Sequence, residues 1–306
     1  MTQTNRTLIE KADLALSDLQ TDGGYLTDQQ ADKFIRLLIR RSVLLGMVNV
    51  TPMKGPRQEE NKTRFAGRVL RPGTPGEALS TADRAKIDLS QFTLDAKLFK
   101  AQVNLNDETL EDNIERGTFQ DTVQEQLSEA VSRDMEFVTI QGDTTSGNSL
   151  LAVLDGILVQ ATSNLVNAGS SNLDKDILKD MLKTMPEEFA VIETMQYFTN
   201  RRARIDYKDS LANRATDLGD AQLTQRDRTV YQDMAVNSIP EWPNGTSTSA
   251  LLTDPKNIWV GIHRKIRFER DRDVPAGVNI IVASLRFDVK YEEETAVVKA
   301  HTISTT

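Results

Sequence analysis

One uninterrupted helical pattern, from Thr118 to Gly142, sets the scale of whatever this chain builds. Thr118 can cap its start and Asp121 follows three residues on, because a hydroxyl accepts an orphan first-turn N–H and an acid suits the positive helix end. Phe119, Val123, Leu127, Ala130, Val131, Asp134 and Val138 recur at three- and four-residue steps, an apolar stripe broken only by Asp134. Gly142 is expected to end the helix in the left-handed conformation. About 23 residues at about 1.5 Å each make a rod on the order of 35 Å, long enough to span a subunit. The rod runs into Gln141-Gly142-Asp143-Thr144-Thr145-Ser146-Gly147, and Asp155-Gly156-Ile157-Leu158 follows.

Composition limits what surrounds the rod. The chain has 306 residues, 27% charged and 39% hydrophobic, enough apolar mass for a sizeable core. Its 45 acids against 37 bases leave a net charge of −8, whereas a generic DNA binder needs the opposite surplus. No apolar run approaches membrane-spanning length, and residues 1–11 lack the apolar segment of a secretory signal. Cysteine is absent, which removes disulfides, thiolate metal sites and cysteine nucleophiles together and fits a reducing cytoplasm. With only His263 and His301 as imidazoles, triad chemistry and metal-assisted hydrolysis have few ways to be built.

The texture changes along the chain. Thr7–Leu19 has a short helical pattern, Asp22-Gly23-Gly24 is a hinge, and Thr27 with Gln30 forms a capping box. Phe34, Ile35, Leu38, Val43 and Leu45 then predict an apolar helix ending at Gly46; it packs on its own core or reaches a neighbouring subunit. From Val48 to Asn106 glycines and prolines punctuate strand-like runs over Thr63–Leu70 and Ile87–Val103, which predicts a long β-hairpin with little buried at its tip. Farther on, Lys175–Met185 and Tyr207–Gln222 read as helices, the second half of Glu188–Thr199 and Val230–Ile239 as strands. Near the end, Ile258, Val260, Ile262, Ile266 and Phe268 alternate with Trp259, His263, Lys265 and Arg267, and Val278–Glu292 alternates likewise. These are two half-buried strands joined as a hairpin through residues 270–277.

Charge is distributed in blocks. Lys54–Lys86 holds eight bases against four acids, net +4, and Asp107–Glu136 holds ten acids against two bases, net −8. In an assembly of many copies, the basic hairpin of one can lap the acidic rod of another; otherwise both are solvated faces. The candidate contacts are Lys62, Arg64, Arg68, Arg71 and Arg84 on the hairpin, with Glu111, Asp112, Glu115, Asp121 and Glu125 on the acidic region.

Catalytic constellations do not emerge. Gly142–Gly147 lacks the Gly-Lys-Ser/Thr ending of a phosphate loop and follows a helix, so it reads as a stop and a turn. The acid pairs Glu187/Glu188 and Glu292/Glu293/Glu294 read as surface charge. His263 lies on a polar strand face and His301 in the tail, neither with a second ligand at metal spacing. Arg201-Arg202-Ala203-Arg204 with Tyr207 is too short for a nucleic-acid platform, and Trp242 between prolines reads as a loop anchor. No catalytic residue, cofactor or metal ligand is assigned, and the chain reads as a non-enzyme.

The order of parts, with Gly23-Gly24-Tyr25-Leu26, Asn113-Ile114-Glu115, the helix into Gly142-Asp143, Asp155-Gly156-Ile157-Leu158 and Asn257-Ile258-Trp259-Val260-Gly261-Ile262, resembles the major capsid proteins of tailed bacteriophages, the Hong Kong 97-type shell fold. The resemblance implies an α+β fold: an N-terminal arm (1–46), an extended β-hairpin loop (47–106), a peripheral domain with the spine helix and long strands (107–150 and 255–300), and an axial domain (151–254). It implies a homo-oligomer of hexamers and pentamers closing into an icosahedral shell around double-stranded DNA, in the virion, assembled in the host cytoplasm without a membrane. A portal and decoration proteins would be partners, and the lack of a charged segment ahead of the arm implies a separate scaffolding protein. Some members join a Lys to an Asn; Lys62 and Lys86 are available here, but no partner aligns. The alternatives are an encapsulin-type nanocompartment shell, disfavoured by the long hairpin, and a soluble enzyme of unknown chemistry.

Overall fold

The computed structural model describes residues 42–65, 69–72, 76, 78–80, 87–106, 119–212, 229–263, 267–273, 275 and 278–305. Period-two alternation on β12 (Val278–Tyr291) dictates its centre: Ile281, Ala283, Leu285, Phe287, Val289 and Tyr291 all point into the core. β4 (Lys97–Asn106) runs antiparallel along one edge of β12. β10 (Ile258–His263) and β11 (Arg267–Asp273) lie antiparallel along the other, and β1 (Asn49–Met53) adds parallel to β10. The expected single strand over Ile258–Phe268 is thus two. Between the Ile262–Phe287 and Arg267–Ser284 pairs one side advances five residues while β12 moves three, so the register shifts by two.

α1 (Phe119–Gln141) covers the apolar face of this sheet, within a residue of the predicted bounds. Its packed row is Leu127, Val131, Met135 and Val138. Asp134 is not in it; its side chain is 59% exposed. Four-residue steps carry the row past Asp134 to Met135, and Ser128, Ser132 and Thr139 are buried beside it. Small polar residues there let the helix approach the sheet closely, and the buried Thr139 hydroxyl does so without a hydrogen-bond partner among the described residues.

Gly142 does not adopt the left-handed conformation; among described glycines only Gly76 and Gly169 have positive φ. Its requirement is space. A Cβ on Gly142 would stand 2.4 Å from the Leu154 carbonyl oxygen and 2.9 Å from the Gly156 nitrogen, and one on Gly156 would stand 2.7 Å from the Gly142 nitrogen. The two glycines face each other, and the Gly156 N–H donates to the Gly142 carbonyl at 2.8 Å. α2 (Ile157–Gln160) starts from that contact.

A second sheet has the order β5 (Asn164–Asn167), β13 (Val298–Ser304), β9 (Ser247–Thr253), β6 (Gln196–Thr199), β8 (Met234–Ser238), β7 (Val230–Tyr231). His301, expected in a tail, sits on β13 in this sheet, opposite Asn167. α3 (Lys175–Thr184) packs Ile177, Leu178 and Met181 against Tyr197, Leu252 and Val298. Asp174 caps it, accepting from the Asp176 and Ile177 N–H groups at 2.9 and 3.0 Å. α4 (Arg201–Ala212) begins six residues before the predicted Tyr207; residues 213–222 lie outside the described residues. Val230–Ile239, predicted as one strand, folds back on itself. Gln232 and Asp233 both take positive φ, 46° and 64°, forming a two-residue turn that favours Gly, Asn or Asp, so Gln232 is the exception.

The predicted hairpin also changes register. β2 (Arg57–Phe65) pairs with β3 (Ile87–Asp95), and the rest of the expected second strand is β4, which belongs to the central sheet. Residues 43–47, expected as the end of an apolar helix, form turns instead, with Leu44 and Leu45 buried in the main core.

Candidate assembly surfaces

A two-stranded ribbon is marginal alone, so what roots β2–β3 decides whether it can act as a rigid projection. Leu94 and Met53 pack against the face of β10 opposite α1, where Gly261 leaves room: a Cβ there would lie 2.7 Å from the Met53 sulfur. Phe92 meets Trp259 edge to face at 5.4 Å. The strand face expected to be polar is therefore covered, and His263 is also buried.

Polar contacts complete the root. Lys62 Nζ donates to the Glu292 carbonyl and lies 2.8 Å from the Glu293 carboxylate. Trp259 Nε1 donates to the Glu292 carboxylate at 2.9 Å. The Ala96 N–H donates to the Pro56 carbonyl at 2.8 Å, closing the base. The Asp95 N–H donates to buried Asp288 at 2.7 Å. Burial pushes the Asp288 carboxyl up, and that hydrogen bond pulls the other way. Asp95 itself, on the surface, is held below the usual carboxylate range by its hydrogen bond from Lys97.

Outward, the ribbon presents a different face. Arg57, Glu59, Asn61 and Thr63 are exposed while Gln58, Glu60 and Lys62 are half-buried, as alternation demands. Leu89 is 74% exposed, and beyond the ribbon Leu70 is 91% exposed. Single exposed leucines are ordinary, so Leu89 marks the ribbon's outer face without making it an apolar patch.

At its other end α1 is pinned. Buried Glu136 accepts the Leu44 N–H at 2.6 Å, and burial pushes its carboxyl up. The Gly-Asp string is a stapled turn. Asp143 accepts the Thr145 N–H at 2.8 Å and its hydroxyl at 2.6 Å, and Asp155 takes the Thr144 N–H and hydroxyl at 2.9 and 2.8 Å. The Thr145 hydrogen bonds lower the Asp143 carboxyl. Farther on, Glu294 gathers Thr162 and Ser163; burial raises its carboxyl, but their hydrogen bonds win and leave it lowered.

Of the predicted contact residues, Lys62 is engaged within its own chain, Arg71 is exposed, and Arg64 lies on β2. Asp121 and Glu125 lie on α1. Arg68, Arg84, Glu111, Asp112 and Glu115 lie outside the described residues. Sequence reasoning missed the root residues Phe92, Trp259, Asp288 and Glu293, whose partners are up to 231 residues away. Only the aromatic Trp259 on a nominally polar face signalled a cover. Among the described residues no group of three or more His, Asp or Glu could hold a metal. No described helix is long and apolar enough to cross a membrane.

This architecture matches known shell proteins. The sequence profile described as the phage capsid family matches residues 23–301. The chain belongs to the phage capsid family. It is 33% identical over 304 residues to the putative prophage capsid protein YqbE of Bacillus subtilis (strain 168), covering 96% of this chain and 97% of that protein. Among solved structures, the satellite phage P4 procapsid that includes the size determination protein superposes with a TM-score of 0.65 at 13% identity, covering 98% of this chain and 96% of that one. The SrpI encapsulin of Synechococcus elongatus PCC 7942 superposes at 0.60 and 11% identity, covering 100% and 98%. At those identities the structural likeness establishes the fold, a mixed helix-and-sheet capsid architecture of Hong Kong 97 type. Membership of the family makes the chain a capsid shell protein with a structural role in the virion.

Proposed function

We propose that this chain is the major shell subunit of a phage head, assembling as hexamers and pentamers into an icosahedral container for double-stranded DNA. The observation that carries the reading is the β2–β3 ribbon, tied to its own sheet at the root yet bare on its outer face. A solitary subunit gains nothing from such a projection, whereas repeated contacts that close by symmetry do. In this reading residues 1–46 are the arm and 47–106 the extended loop, with β1 and β4 woven into the sheet. Residues 107–150 and 255–300 make the peripheral domain and 151–254 the axial domain, the latter joined by β13. The basic residues Arg64, Arg68, Arg71 and Arg84 face an acidic neighbour. Assembly takes place in the host cytoplasm with a separate scaffolding protein, a portal and decoration proteins.

Negative-stain electron microscopy of the purified chain tests this. Closed particles or rings are expected, and a strictly monomeric species at high concentration overturns it. Reversing Arg64, Arg68 and Arg71 tests the electrostatic lap; unimpaired assembly at low salt removes it. An encapsulin-type compartment is the second reading, favoured by the encapsulin likeness over the whole chain. Nuclease-resistant DNA inside particles recovered from producing cells separates the two.

A further inference from the structure

The start of α4 carries its charge the wrong way round. Arg201 and Arg202 occupy its first turn with no acid beside them, where the helix dipole already concentrates positive charge and favours an anion. Both are exposed, and neither forms an ion pair among the described residues. Arg204, by contrast, is occupied within its own chain by the Thr229 and Ser238 hydroxyls at 3.2 and 3.3 Å. Arg201 and Arg202 line a cleft of about 290 Å³ with Ile205, Pro240, Trp242 and Asn244, and Ile205 is 48% exposed.

The complement lies on the same chain, on the far side of β6. Residues 186–195 contain Glu187, Glu188 and Glu193 and no base, and Val191 and Ile192 stand 52% and 46% exposed between the acids. This loop enters β6 at one end, and α4 leaves at the other. Four residues of strand hold them on the order of 13 Å apart, and pairing with β8 and β9 keeps β6 straight. In this fold the chain does not pair these arginines with its own loop among the described residues, and a second copy can.

We propose that the 186–195 loop of one copy docks into the arginine cleft of the next. Glu187 and Glu193 meet Arg201 and Arg202 while Val191 and Ile192 cover Ile205 and Pro240. Two different patches meeting head to tail make a heterologous contact, which closes into a ring when the rotation fits. The proposal rests on the shell reading and gives it a specific joint around the ring.

Charge swapping tests it. Arg201→Glu with Arg202→Glu, and Glu187→Arg with Glu193→Arg, are each expected to cut the assembled fraction about tenfold at low salt, with far-UV circular dichroism unchanged. All four in one chain are expected to restore assembly. Wild-type assembly by either reversed pair, or no recovery in the combined variant, overturns the docking. The cysteine-free sequence offers an independent measurement through Ile192→Cys with Ile205→Cys, both at exposed positions. Oxidised particles of this variant are expected to give a ladder of covalent oligomers on non-reducing gels, and either single substitution none. Particles that form without a ladder overturn the docking, whereas an unaltered chain that never assembles overturns the shell reading itself.

Discussion

The sheet under α1 and the β2–β3 ribbon are built from the same strand chemistry, but they are held by different means. The sheet buries apolar side chains from four strands and the helix against one another, with Phe99 stacked on Phe287 at 4.7 Å. Among the described residues the ribbon's apolar anchors lie at the base, Met53, Leu94, Ala96 and Phe92, and Lys62 adds a polar tie above them. Stability therefore concentrates in the body and reach in the projection. Separating them lets a subunit fold alone and still keep surface for neighbours.

Substitutions can break that contrast or sharpen it. Phe287→Ala empties the centre of the body and is expected to cost about 3–5 kcal/mol, read as a fall in the denaturant midpoint of the dissociated subunit. Gly261→Val forces a side chain against Met53 and Leu94 and is expected to cost about 1–3 kcal/mol. Its signature is faster hydrogen exchange across β2 and β3 than across β12; uniform acceleration would mean that ribbon and body are one unit. Glu136→Gln acts through pH. The folded carboxyl binds its proton more tightly than the unfolded one, so stability is lost as pH rises from the ordinary value of 4.5 through the raised folded value. The glutamine variant is expected to flatten that decline in midpoints taken between pH 5 and 8. Lys62→Ala removes a partly exposed pair and is expected to cost up to about 1 kcal/mol in the same denaturation assay. Smallest of all, Leu89→Ser is expected to leave the midpoint within about 0.5 kcal/mol, and a larger loss would make the ribbon part of the core.

Legibility in the sequence followed the range of the interaction. α1, α3 and β12 carry their own periodicity, and each is readable within a few residues, whereas β11 falls mostly in the stretch read as a connection. A stripe through Asp134 leaves out Met135, although four-residue steps from Leu127 lead to it. Local backbone habit makes Gly142 a left-handed stop, but its reason is Gly156, fourteen residues on. The β7–β8 turn hides behind Gln232, which bears positive φ without being a usual turn residue. The ribbon root was the least readable part. Lys62 looked like free surface charge until folding brought Glu293 beside it, and no local pattern encodes such a meeting.

The place of β13 between β5 and β9 has a consequence for synthesis. Residues 164–253 supply the other strands of that sheet, yet β5 finds its partner only when residues 298–304 have left the ribosome. A nascent chain thus holds the sheet open with unpaired strand edges until near the end of translation. Truncated products lacking this strand cannot complete the sheet, and so cannot offer a finished surface to their neighbours.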